Sequence, residues 1–93
     1  MDPRALIVHL ETPYGKYEPT FGSVQEILVA GLSWETEYWV SLAVAWLEQG
    51  APCNSEIAVL LDRISQMRHF SQRVRHRAFA LARRWQRQQT NSA

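Results

Sequence analysis

The chain has 93 residues, of which 46% are hydrophobic and one, Cys53, is cysteine. This length suits one domain with a single core, and a lone cysteine excludes an intrachain disulfide framework. No aliphatic run is long enough to span a bilayer, and the first residues lack the basic start of a signal peptide. We therefore expect a single cytoplasmic domain over residues 1–93, without a membrane partner.

Residues 5–12 alternate in polarity as a half-buried strand does, because Leu6, Val8 and Leu10 would share one face of an extended chain. Residues 13–16 (Pro-Tyr-Gly-Lys) have the composition of a turn. A weaker return strand follows, and Pro19 would confine that strand to an edge. These patterns predict an N-terminal β-ribbon over residues 1–22.

Helical periodicity dominates the middle of the chain. Residues 23–26 (Ser-Val-Gln-Glu) have the spacing of a capping box and predict a short helix that Gly31 ends. A longer helix is predicted over residues 33–49. Because that helix is apolar on nearly every side, we expect it at the centre of the fold, around Trp39 and Trp46.

The C-terminal third has one continuous heptad pattern. Asn54 or Ser55 can cap a helix there, and the apolar stripe over residues 56–87 allows either a single helix of about 48 Å or two shorter helices. A break at residues 69–71, with Ser71 capping the second helix, fits a small domain better. The sequence thus predicts a mainly α fold with three to four helices and an N-terminal β-ribbon. Residues 23–87 would form the helical core and residues 88–93 a frayed tail.

The formal net charge of +1 hides a strong asymmetry. Residues 1–62 contain nine acidic and two basic residues, a net charge of −7, whereas residues 63–93 contain eight arginines and no acidic residue, a net charge of +8. Such asymmetry is typical of proteins with an anionic partner. The alternative, left open by the sequence, is that the two halves face and neutralise each other within the fold.

Two surfaces are candidates for binding. Aromatic residues are enriched in binding hot spots, and neighbouring acidic residues attract basic partners. The aromatic residues of the N-terminal part stand close to Glu18, Glu35 and Glu37 in the chain, so we expect a protein partner there, with another copy of the chain as one candidate. The residues predicted to contact that partner are Tyr14, Tyr17, Trp34 and Tyr38, with Phe21 nearby in the chain. Equally, the ribbon could cover Trp34.

The second candidate surface is basic. Arg73, Arg77, Arg84 and Arg87 are predicted to cluster on the exposed side of the last helix. Guanidinium groups on one helical face suit the neutralisation of phosphates, so nucleic acid is the alternative partner. Phe79 and Trp85, the aromatic residues nearby, are predicted to belong to the core.

Catalytic and metal-binding patterns are weak. The three histidines and Cys53 lack the spacing of helical metal ligands, and no CxxC motif occurs. Cys53 precedes a predicted helix, whose N-terminus would stabilise a thiolate, but sequence shows neither an oriented base nor an oxyanion hole. We therefore expect a protein without catalytic activity, without a bound metal and without a cofactor. The leading hypothesis is a non-catalytic, bacterial-type interaction module of the adaptor, chaperone or inhibitor kind.

Overall fold

A computed structural model describes residues 3–18 and 22–91, and within these ranges the chain is mainly helical and contains no strand. Five helices follow one another along the chain: α1 (Pro3–Ile7), α2 (Val24–Leu32), α3 (Glu37–Glu48), α4 (Ser55–Ser65) and α5 (Gln72–Asn91). Two 3-10 turns, Val8–Glu11 and Tyr14–Lys16, lie between α1 and α2. The radius of gyration is 12.6 Å.

The predicted β-ribbon is wrong, and with it the count of three to four helices. Leu6, Ile7 and Leu10 are buried while Val8 is exposed, which is helical rather than alternating spacing. A strand needs a partner for its backbone groups, whereas a helix pairs them internally. Proline at the first helical position also suits a helix start. Residues 19–21, which include Pro19 and Phe21, lie outside the described residues.

The helix predicted after Ser23 is present and longer than expected. The Ser23 hydroxyl accepts a hydrogen bond from the Glu26 backbone N–H at 3.1 Å, which confirms the cap. The helix continues through Gly31 to Leu32. Gly31 packs so closely against Leu10 and Ala43 that no side chain fits there. Consequently α3 begins at Glu37 rather than Ser33.

The predicted break between the last two helices is confirmed and is wider than expected, since α4 ends at Ser65 and α5 begins at Gln72. The Asn54 side chain caps α4 by accepting from the Ile57 N–H at 2.8 Å. The Ser71 hydroxyl accepts from the Val74 N–H at 3.3 Å at the start of α5. The α5 helix passes Arg87 and ends at Asn91, and fraying of residues 88–93 stays a prediction.

Packing places α2 and α3 at the centre of the molecule. The α2 helix contacts α1, α3 and α4, while α5 packs against α3 and along α4. Trp46 is buried and donates its indole N–H to the Thr12 carbonyl at 2.9 Å, which ties the N-terminal segment to α3. Trp39, predicted to share the core centre with it, is only partly buried and packs at the edge of the core.

Candidate functional site

Tyr14 and Tyr17, two of the four aromatic residues predicted to bind a partner, pack against the core. Their rings lie 5.7 and 5.3 Å from the Trp46 ring, and both side chains are partly buried. The Tyr17 hydroxyl also donates to the Gly22 carbonyl at 2.7 Å. These contacts hold the N-terminal segment on α3, so the two tyrosines already have structural partners.

Tyr38 is different, because 54% of its surface is exposed. Its hydroxyl donates to a Glu11 carboxylate oxygen at 2.6 Å, and its ring packs edge-on against Trp39 at 4.8 Å. The hydrogen bond to Glu11 raises the pKa of Tyr38, since it stabilises the protonated phenol and the carboxylate disfavours a phenolate. Tyr38 therefore connects α3 to the N-terminal segment at the surface.

Trp34 lies in the connection between α2 and α3, outside the helix in which it was predicted, and its backbone N–H donates to the Gly31 carbonyl. It is partly buried against the core. Within residues 3–18 and 22–91 its indole N–H has no hydrogen-bond acceptor, in contrast to that of Trp46. This donor is thus available to a bound molecule.

An open groove of about 770 Å³, here called the Trp34 groove, runs between α1, α2 and the start of α4. Its apolar lining comes from Leu6, Val29, Ala30 and Trp34. Its polar lining includes two carboxylates, Glu26 and Glu56, with Ser23, Gln25 and Ser33. None of the three tyrosines predicted to act with Trp34 lines it, so the four residues do not form one surface.

Trp34 also borders a second, smaller groove of about 430 Å³ between the α2–α3 connection and the end of α4. Leu32, Ile64 and Phe70 contribute to its apolar lining, and Arg63 and His69 contribute cationic or titratable groups. Trp34 is the aromatic residue that both grooves share, which makes it the member of the predicted set best placed to contact a partner.

The predicted basic surface on α5 is present but differs by two residues. This helix carries six arginines and no acidic residue. Its outer side, here called the basic face, exposes the side chains of Arg73, His76, Phe79, Arg83, Arg84 and Arg87. Arg83 was missing from the predicted set, whereas Arg77 is turned toward α3.

Arg77 donates from Nε and Nη2 to both carboxylate oxygens of Glu48, at 3.1 and 2.6 Å. This bidentate bond raises the pKa of Arg77, and it engages the edge of the guanidinium that would otherwise bind a phosphate in the same bidentate way. Of the eight C-terminal arginines, it alone forms a salt bridge with a carboxylate in the described part of the chain. Direct pairing with the acidic half therefore neutralises little of the basic face.

Phe79 was expected in the core and is instead 51% exposed. It follows the buried Val74 by five residues, which places the two about 140° apart around the helix. That angular offset was readable from the sequence and would have placed Phe79 on the polar side. The Arg83 guanidinium lies 5.7 Å from the centre of the Phe79 ring, within the range of a cation–π contact.

Cys53 does not have the environment of an activated thiolate. Burial raises its pKa, and this outweighs the opposing effect of the Asn54 backbone at the start of α4. Among the described residues, no group of three or more His, Cys, Asp or Glu side chains is placed to hold a metal ion. None of the five described helices combines the length and apolar character needed to cross a membrane.

No protein-family model, curated protein or solved structure matches the chain. The Trp34 groove and the basic face of α5 are the two candidate binding surfaces of the described residues.

Proposed function

We propose that this protein is a non-catalytic protein-interaction module, of the adaptor, chaperone or inhibitor kind, that binds its partner in the Trp34 groove. The observation that carries the proposal is the groove's composition: an apolar lining around a partly buried tryptophan whose indole N–H has no acceptor among the described residues, together with two carboxylates. Tryptophan is among the residue types most enriched in binding hot spots.

Charge indicates the chemistry of the partner. Glu26 and Glu56 lie in the first turns of α2 and α4, and both side chains are exposed. One Glu26 oxygen accepts from the Ser23 hydroxyl at 3.3 Å, which leaves the other oxygen for a cation. The groove therefore suits a segment with an apolar or aromatic anchor beside a lysine or arginine.

A random peptide library selected on the immobilised protein tests this. We expect enriched peptides that combine an aromatic or aliphatic residue with a basic residue. Trp34→Ala should weaken a selected peptide roughly 30-fold, the effect of losing a hot spot of about 2 kcal/mol. Phe79→Ala, which removes an exposed aromatic ring on α5, is the matched control and should bind normally.

Because Trp34 packs partly on the core, its loss could also disturb the fold, so a second variant is needed. Glu26→Gln with Glu56→Gln keeps the shape of the groove and should lower both the affinity and its dependence on salt. Selected peptides that bind all these folded variants as tightly as the natural chain would show that the groove is not the binding site.

A second candidate function is nucleic-acid binding through α5, and the observation that favours it is the number of exposed arginines without a carboxylate partner in the described residues. Replacing Arg73, Arg84 and Arg87 by Gln should reduce the slope of log affinity against log salt by about 2 to 3, because three fewer phosphates are neutralised. Arg63→Gln with Arg68→Gln, exposed arginines outside α5, is the control. An unchanged slope in the triple variant would exclude this use of α5.

A further inference from the structure

An aromatic ring lies along one edge of the basic face, about midway along its length. Phe79 is 51% exposed, and the exposed His76 and Arg83 stand one turn before and after it on α5. The rest of the face consists of Arg73 on the N-terminal side and Arg84 and Arg87 on the C-terminal side. A flat apolar ring thus lies beside groups that bind phosphate.

We propose that the basic face binds single-stranded nucleic acid, with the arginines on the phosphates and an unpaired base stacked on Phe79. This rests on the second candidate function and names its substrate class. Basic side chains that follow the backbone, combined with an aromatic ring for a base, are the usual elements of single-strand binding. The Arg83 guanidinium lies over the ring at 5.7 Å from its centre, so the base would stack on the part of the ring that Arg83 leaves open while Arg83 contacts the phosphate of the same nucleotide.

Other anionic partners fit the face less well. In a duplex the faces of the bases are stacked on one another, so the ring of Phe79 would have no base face to contact. A membrane surface requires an apolar helix side to insert, but Val74, Ala78 and Ala82 on α5 are buried in the core. Single-stranded nucleic acid uses both the charge and the exposed ring.

The test is a fluorescence anisotropy titration of labelled oligo(dT) of about 20 nucleotides and of a mixed-sequence duplex of about 20 base pairs, at several salt concentrations from about 50 to 200 mM. We expect the single strand to bind more tightly. Phe79→Ala should weaken its binding about 5- to 150-fold, the loss of one stacked base, with an unchanged salt slope. Phe79→Trp, which keeps an aromatic ring at this position, should bind the single strand about as tightly as the natural chain does.

Val59→Ala is the matched control, since Val59 on α4 is a similarly exposed apolar side chain at 61%. Its binding should equal that of the natural chain. Because Phe79 is exposed, circular dichroism should find the fold of the Phe79 variants unchanged, so that a loss of binding reports on the contact itself.

The outcomes separate this inference from the function on which it rests. If Phe79→Ala binds normally while the triple arginine variant loses salt dependence, nucleic-acid binding stands and stacking is overturned. Equal or tighter binding of the duplex also overturns only the single-strand assignment. No binding of either probe at about 50 mM salt overturns both. Displacement of oligo(dT) by polyglutamate at equal charge would indicate an acidic protein partner and would overturn the nucleic-acid assignment.

Discussion

Gly31→Ala offers a direct test of how the N-terminal segment docks on the helices. A Cβ atom at Gly31 would lie 2.5 Å from Leu10 Cδ1 and 3.1 Å from Ala43 Cβ. Leu10 and Ala43 are both buried, so neither has open space into which to move. The segment that contains Leu10 would have to shift away from α2 and α3.

Two effects of opposite sign set the change in the free energy of unfolding that Gly31→Ala should cause. Overpacking a core by one methyl group costs about 1 to 3 kcal/mol. Replacing glycine by alanine inside a helix returns about 0.5 to 1 kcal/mol, since the unfolded chain is less free. We therefore expect Gly31→Ala to lower the free energy of unfolding by about 1 kcal/mol, within the range of about 0 to 2.5 kcal/mol that these two effects span.

Urea denaturation followed by tryptophan fluorescence measures this in a double-mutant cycle with Leu10→Ala. Truncating Leu10 alone should cost about 2 to 5 kcal/mol. In that background the space beside Gly31 is open, so the added methyl group should be neutral or stabilising. Gly15→Ala is the control, because no atom lies within 4 Å of a Cβ built there. An equal effect of Gly31→Ala in both backgrounds, or a stabilisation in the natural chain, would refute the proposed packing.

Three further predictions concern charged and titrating groups. A double-mutant cycle of Arg77→Gln and Glu48→Gln should yield a coupling of about 0.5 to 1 kcal/mol that weakens with salt, because the pair is bidentate but partly exposed; zero coupling would contradict the contact. Burial raises the pKa of Cys53, so iodoacetamide should alkylate the native thiol more slowly than the urea-unfolded thiol at about pH 8.5. The contribution of this thiol to stability is fully present below the pKa of the unfolded chain and is lost as the pH rises through the raised pKa of the folded chain. In an ultraviolet titration, Glu11→Gln should lower the raised pKa of Tyr38, and Tyr38→Phe should remove that component altogether; a titration unaltered by Glu11→Gln would exclude the hydrogen bond as the cause.

The helical elements were predictable where local chemistry decides them. Ser23, Asn54 and Ser71 each cap a helix, because a side-chain oxygen can satisfy a free N–H only a few residues away. The end of α4 was predicted less precisely, since no glycine or proline marks it. The start of α5 has a long-range contact as well, because the Glu37 carboxylate of α3 accepts from the Ser71 backbone N–H.

The N-terminal segment was predicted wrongly because its apolar run is short. Over six residues, alternation and helical spacing both place Leu6 and Leu10 on one face, and the difference rests on Ile7 and Val8. Ile7 is buried and Val8 is exposed because the segment packs on α2 as a helix and a 3-10 turn. Only the contact with residues distant in the chain distinguishes a helix from a strand in this segment.

The candidate surfaces were predicted in part. Trp34 and the exposed arginines were recognisable from residue type and periodicity. The two grooves that Trp34 lines were not recognisable from the sequence, since they are formed by residues from α1, α2 and α4 that are distant in the chain. Likewise, Tyr14 and Tyr17 resemble a binding surface in sequence, and only the position of Trp46 turns them into packing residues.

By itself, the sequence determined the helical character, the caps and the charge asymmetry of this protein, because these depend on residues within a few positions of each other. The tertiary structure decided the conformation of residues 3–18, which aromatic rings stay exposed, and which arginine is paired. Those outcomes depend on long-range packing: Leu10 against Gly31, Thr12 against Trp46, and Glu48 against Arg77. Burial and pairing are properties of the assembled core, and no local pattern contains them.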